Sequence, residues 1–359
     1  MKKSILLIIV ILINCLSIKT YSQNAGKEKD IDISIIKKAA KRAYYENNDY
    51  GKAISILSKA ANYLQLKKES KYEDIIDVSW TQIQITLLEK GAVIAQPLVE
   101  NLMKSIEAYH AKLATGFSYS DNAQNLLFSD NISKNFIYYP NGIQVIGSMF
   151  DSFIEIYKKD FSGEEQLRIF QSSRSYIYLL NGNLKSALDL SADIMAKSDE
   201  SEKCMYAINY GHVLFLNKQG TEKAIEQYKA AFKLDEQLIA KSLLMDFQTL
   251  RQFHFDLSVL KDYESQIKAK YLKKYYKRPY VKEAMSNSVA DKVGLKAGDV
   301  IELYNNNLVY DIEMFCNERR SERFKQDQKP REIKVLRNGQ HLTFTVVPGL
   351  LGVYLDYEK

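Results

Sequence analysis

The chain has 359 residues, 46% of them apolar and 26% charged, with a formal net charge of +6. These are ordinary values for a globular protein long enough to hold two domains with sizeable cores, and such mild basicity gives no case for a nucleic-acid partner. With only 15 glycines and 5 prolines turns are scarce and long helices are expected, while the 25 tyrosines suit helix seams, ring inside and hydroxyl toward water.

Residues 1–22 read as a leader. Lys2 and Lys3 precede an apolar run from Ile5 to Ile18, broken by Asn14, and the triplet Thr20-Tyr21-Ser22 precedes Gln23. That layout predicts a secretory signal peptide and an exported protein, periplasmic or secreted. The run of 14 residues falls short of the roughly 20 a spanning helix needs, so an uncleaved anchor stands second. Leu12-Ile13-Asn14-Cys15 is a weak lipoprotein box, because Asn14 occupies the place of a small residue. Cleavage would remove Lys2, Lys3 and Lys19 and lower the charge from +6 to +3. Cys204 and Cys316 remain, and two lone buried cysteines are the expected reading.

Residues 32–276 read as consecutive amphipathic helices. In Cys204–Asn217, the residues Ile208, Gly211, His212 and Phe215 share one face by their i, i+3, i+4, i+7 spacing. After the turn Asn217-Lys218-Gln219-Gly220, the residues Ala224, Tyr228 and Ala231 of Thr221–Leu234 form the facing stripe. Small residues at 224 and 231 permit close approach, with Tyr228 in the groove. The same register occurs at Asn181–Ala187 and at Asn47–Ala53, and Tyr72–Lys90 with Ala92–Leu113 forms another expected pair. This pattern resembles the tetratricopeptide repeat, whose period is about 34 residues. Residues 117–145 break it as an irregular insertion with one short helix near Ala123–Phe128, and residues 238–276 are expected as one or two helices closing the array. The cations between Lys268 and Lys282 suit a helix C-terminus that Pro279 terminates.

From 280 onward the pattern turns to strands: Tyr280–Ala284, Val300–Tyr304, then Glu332–Arg337 and His341–Val347 around Asn338-Gly339, a strong hairpin signal. Asp311–Arg323 reads as a helix with Ile312, Phe315 and Cys316 on one face. Before it stands Ser288-Val-Ala-Asp-Lys-Val-Gly-Leu-Lys-Ala-Gly-Asp-Val-Ile-Glu-Leu-Tyr304, with Gly294 ending a helical turn and Asp299 leading into a strand. These residues, in this order, resemble the central signature of bacterial PDZ domains over roughly 279–359. The resemblance implies a small α+β barrel or sandwich that takes a peptide as an extra strand.

Such domains hold the terminal carboxylate in a Gly-Leu-Gly-like loop ahead of the accepting strand, and none precedes Tyr280. Pro348-Gly349-Leu350-Leu351-Gly352 followed by Val353-Tyr354-Leu355-Asp356-Tyr357 has the needed form. A glycine-flanked turn can aim amides at an anion. The expected site is therefore a permuted one: Gly349, Leu350, Leu351, Gly352, Val353, Tyr354 and Leu355 as loop and strand, with Ile312, Phe315, Cys316 and Arg319 lining the side-chain pocket. The alternative at this stage is that Val353–Tyr357 merely closes the sheet.

Catalytic signals are missing from the sequence. His110, His212, His254 and His341 have no metal-ligand spacing, and His212 and His254 read as core or groove residues within helices. There is no nucleophile elbow, protease signature or phosphate loop. The chain reads as a multidomain binding protein, an all-α repeat array followed by a small PDZ-like unit, with protein or peptide partners and no cofactor or metal. Peripheral association with the cell envelope is compatible with export. A regulatory subunit or a cryptic envelope enzyme, its site in a groove between array and PDZ-like unit, is the alternative.

Overall fold

The computed structural model describes residues 32–45, 47, 49–66, 72–113, 137–158, 164–324, 329–348 and 351–358. The leader and the short helix expected at 123–128 lie outside these. Among the described residues no helix is long and apolar enough to cross a membrane.

The first part is helical throughout: α1 (Ile33–Tyr45), α2 (Tyr50–Leu66), α3 (Tyr72–Lys90), α4 (Ala92–Leu113), α5 (Gly142–Lys158), α6 (Glu164–Leu180), α7 (Leu184–Lys197), α8 (Glu200–Leu216), α9 (Thr221–Ala231), α10 (Glu236–Gln252) and α11 (Lys261–Tyr275). Each helix from α1 to α9 packs on the next, and α6 also packs on α8. The seams are the stripes legible in the sequence: Ala53, Leu57, Ala187, Ala224, Tyr228 and Ala231 are all buried. At the α8–α9 crossing a Cβ on Gly211 would stand 2.4 Å from the Tyr228 ring, so glycine sets how closely these helices approach. Asp199 and Glu202 form a capping box that starts α8, and the Asp235 carboxylate caps α10. The irregular insertion ends earlier than its composition suggests, because α5 already starts at Gly142.

A six-stranded antiparallel sheet follows. Its strands are β1 (Pro279–Ala284), β2 (Val300–Tyr304), β3 (Asn307–Leu308), β4 (Arg331–Arg337), β5 (Gln340–Val346) and β6 (Val353–Tyr357), with helices α12 (Val289–Val293) and α13 (Ile312–Phe324). The order is β5-β4-β2-β1-β6, with β3 on β2. Asn305-Asn306 and Asn338-Gly339 take the positive φ values of tight hairpin turns. Gly294 ends α12 in the left-handed region. Fully buried Asp299 receives Arg337 through two bonds of 2.6 and 2.7 Å, and Arg337 also bonds the Gly294 carbonyl. This buried pair ties the α12–β2 corner to β4.

The barrel or sandwich expected from the sequence is instead an open sheet. Helix α13 lies across the opening. It is bonded at its start to Tyr357 at the end of β6 and from its middle, through Arg319, to the Val347 carbonyl just past β5. The helical body and the sheet meet at α10, α11 and α13. Lys241 pairs with Asp311 and Glu313, Gln248 donates to the Met314 carbonyl, and the Tyr271 and Tyr310 rings meet edge to face.

Candidate functional site

Strand β6 pairs with β1 on one side and forms the end of the sheet path. The Gly352 carbonyl accepts from Met285 N, and Glu358 N donates to the Arg278 carbonyl. Even-numbered residues of β6 therefore turn their backbone groups to β1. Strand alternation turns those of Val353, Leu355 and Tyr357 to the outer edge. The Asp356 carboxylate already accepts the Tyr357 amide at 2.9 Å. Val353 and Leu355 are left as the outward backbone groups of the strand, and their side chains pack on the core of the sheet.

Gly352 leads into β6 with φ of 77°, and a Cβ there would stand 2.3 Å from Ser288 Cβ. Only glycine lets the loop approach the start of α12 so closely. Leu351 beside it is buried, and its carbonyl accepts from Ala290 N. Gly349 and Leu350 lie outside the described residues. Tyr354 is exposed, on the face of β6 opposite Val353 and Leu355.

On α13, residues Ile312, Cys316 and Arg319 form one stripe by their i, i+4, i+7 spacing. Ile312 and Cys316 are half-buried, whereas Phe315 and Arg319 are buried. Phe315 meets the Tyr304 ring edge to face beneath the helix, so it belongs to the floor rather than to a wall. The Arg319 guanidinium donates to the Tyr304 hydroxyl at 2.7 Å and to the Val347 carbonyl at 2.9 Å. The Tyr304 hydroxyl donates to Glu322. Burial pushes the Tyr304 phenol up, which keeps it protonated.

The start of α13 meets the end of β6 through residues outside the site expected from the sequence. Asp311 is buried; one carboxylate oxygen caps α13 through the Glu313 and Met314 amides, and the other accepts the Tyr357 hydroxyl at 3.1 Å. That hydroxyl in turn accepts Ile312 N at 3.0 Å. Burial pushes the Tyr357 phenol up to about 12. Burial alone would lower the Lys241 ammonium, but its hydrogen bond to Glu313 and the Asp311 charge hold it above its usual value. Asp311 could have been noticed as an Asp at the first position of the predicted helix, a residue type suited to capping; the observed helix starts one residue later, at Ile312. Its partners, Lys241 and Tyr357, are set by tertiary structure.

Two other polar places hold titratable groups. Fully buried His212 bonds the Tyr228 hydroxyl at 2.9 Å through Nδ1 and the Asp246 carboxylate at 3.2 Å through Nε2. Burial pushes the Tyr228 phenol well up, so this is a bonded seam between α8, α9 and α10 with no exposed nucleophile. His254, expected in a helix as a core or groove residue, is instead exposed, just past the end of α10, in the left-handed region. A cleft of about 400 Å³ lies between α10 and α13. Its Glu264 is paired with Arg251, and its Asp311 with Lys241. Cys204 and Cys316 are unbridged, and both are half-buried rather than buried as expected, each lying on a helix face only partly covered. No group of three or more metal-ligating side chains occurs among the described residues.

No protein-family model matches this sequence, and no curated protein matches it. What the fold and site define is a stack of helices followed by a six-stranded antiparallel sheet that ends in β5 on one side and β6 on the other. The β6 end meets the start of α13 through the Tyr357 hydroxyl.

Proposed function

We propose that this chain is an exported, non-catalytic adaptor. Its tetratricopeptide-like array takes one protein partner, and its PDZ-like unit takes a peptide C-terminus or an extended strand of another. The observation that carries the reading is β6. It is a short strand with the backbone of Val353 and Leu355 turned outward, entered through a left-handed glycine and bonded at its far end, through Tyr357, to the start of α13. Peptide main chain added there would gain ladder bonds, and its side chains would reach the stripe on α13. Neither site needs to be tight, because joining two modules in one chain raises the effective concentration of the second contact.

The test uses the mature chain and the same chain ended before Gly349. Fluorescence polarisation with a library of labelled C-terminal peptides should give saturable binding to the first and none to the second. Circular dichroism should show the helical body intact in both. Equal binding by the shortened chain refutes the β6 assignment.

A further inference from the structure

A second cavity, of about 290 Å³, opens where α9, the start of α10 and α11 meet. Its walls are mostly apolar: Phe232, Ala240, Ile267 and the rings of Tyr263, Tyr271 and Tyr275. Ala240, Ile267 and Tyr271 are buried, whereas Phe232, Tyr263 and Tyr275 are half-buried and leave ring surface open to an incoming group. Four rings around one small space suit a further ring, because offset and edge-to-face pairs add to the gain from burial. The volume falls just short of the roughly 300–1,000 Å³ of sites that engulf a whole small molecule. It is the kind of pocket that a single anchoring side chain fills in a protein interface.

The rim is cationic. Lys270 and Lys274 both pair with Glu236, so two ammonium groups share one carboxylate. Lys229, exposed on α9, also lines the cavity and makes no ion pair among the described residues. Three cations against one carboxylate leave the rim with a net charge of +2. The Tyr263 hydroxyl likewise has no hydrogen-bond partner among the described residues. Burial pushes this phenol up to about 12, so it remains a donor. Lys270 and Lys274 belong to the run of cations at the end of α11, for which the helix C-terminus was the whole account.

We propose that this cavity is where the helical array takes its partner, and that the partner is an acidic segment with one phenylalanine as its anchor. The proposal rests on the adaptor reading and gives that first partner its chemistry. The phenyl ring fills the space among Phe232 and the three tyrosines, and flanking aspartate or glutamate side chains meet Lys229 and the ammonium groups on α11. The cations stand on two helices, so a segment with several carboxylates meets more of them than one small acid does.

The test titrates labelled internal peptides with amidated C-termini, so that no terminal carboxylate is present for β6. The parent has one Phe among Asp and Glu residues; one analogue has Ala for Phe, and another has Asn and Gln for the acids. Each is added to the mature protein, to Lys229→Glu and to Tyr275→Ala, with thermal melts monitoring folding. The parent should bind at least tenfold tighter than either analogue. Lys229→Glu should weaken the parent about fivefold and leave the Asn/Gln analogue unchanged, whereas a merely structural role would weaken both alike. Tyr275→Ala should shrink the advantage of Phe over Ala. Equal binding of the Phe and Ala peptides, or an acidic preference intact in Lys229→Glu, overturns the proposal. Displacement of the parent by phenylacetate at equal concentration would mean a small-molecule site and also overturns it. If Tyr275→Ala does not fold, Lys229→Glu decides. Binding of peptides with free C-termini but of no amidated peptide removes this proposal and leaves the β6 reading standing; binding of neither kind sinks both.

Discussion

Replacing Asp311 tests whether the contact between α13 and β6 and the junction with the helical body share one residue. In Asp311→Ala, α13 loses its cap at the Glu313 and Met314 amides, worth about 1 kcal/mol. The Tyr357 hydroxyl loses its acceptor, and a hydrogen bond to a charged partner adds about 1.5 kcal/mol. Lys241 keeps Glu313 at 2.9 Å, so its charge is not stranded, and the lost pair with Asp311 adds under about 1 kcal/mol. The expected cost is therefore about 3 kcal/mol. Asp311→Asn keeps an oxygen for the cap and a polar group for Tyr357, and should cost about 1 kcal/mol. Urea unfolding followed by tyrosine fluorescence and far-ultraviolet circular dichroism measures both variants. Equal losses for Asn and Ala would mean that the charge pair with Lys241 dominates and that the cap and Tyr357 matter little. That result would refute the reasoning.

The outward alternation of β6 makes paired proline substitutions diagnostic. Leu355→Pro removes an edge-facing amide and should weaken peptide binding about fivefold, the equivalent of one net hydrogen bond, whereas Tyr354→Pro removes an amide facing β1 and should lower stability; polarisation and melting curves separate the two. At the α8–α9 crossing, Gly211→Ala forces its Cβ against the Tyr228 ring and should cost about 1–3 kcal/mol in urea unfolding, and a loss below about 0.5 kcal/mol would show that the seam has slack. Stability should fall above about pH 10. The folded Tyr357 phenol sits near 12, above its unfolded value of about 10, so its contribution is whole below pH 10 and fades as pH rises through 12. The raised Lys241 acts in the same direction, and Tyr357→Phe should flatten part of the decline in urea midpoints measured between pH 8 and pH 11.

Much of the fold was legible because it depends on neighbours in sequence. Helix seams appear as residues three and four apart, so Ala53, Ala187, Ala224 and Tyr228 could be placed on buried stripes before any packing was known. Turns that need positive φ announce themselves as Asn-Asn or Asn-Gly, and β2 and the β4–β5 pair follow from them. The candidate strand at 353–357 and the helix beside it were likewise visible as local patterns.

Tertiary structure alone decided which groups meet. The pairing of β6 with β1 joins Tyr357 to Pro279, and no periodicity encodes a partner so far along the chain. His254 went astray because a positive φ just past α10 swings it outward, a departure the aromatic run Phe253–Phe255 conceals. The open sheet, in place of a closed barrel, follows from α13 lying between the ends of β5 and β6, where its hydrogen bonds reach Tyr357 on one side and Val347 on the other. Arg319 shows the division most clearly. The sequence by itself determined its position on a helix stripe, three residues past Cys316. Its burial, its two fixed bonds and its unspent Nε come from Tyr304 and Val347, brought to it by the packing of α13 on the sheet, because hydrogen-bond satisfaction is a property of the assembled core and not of any stretch of chain.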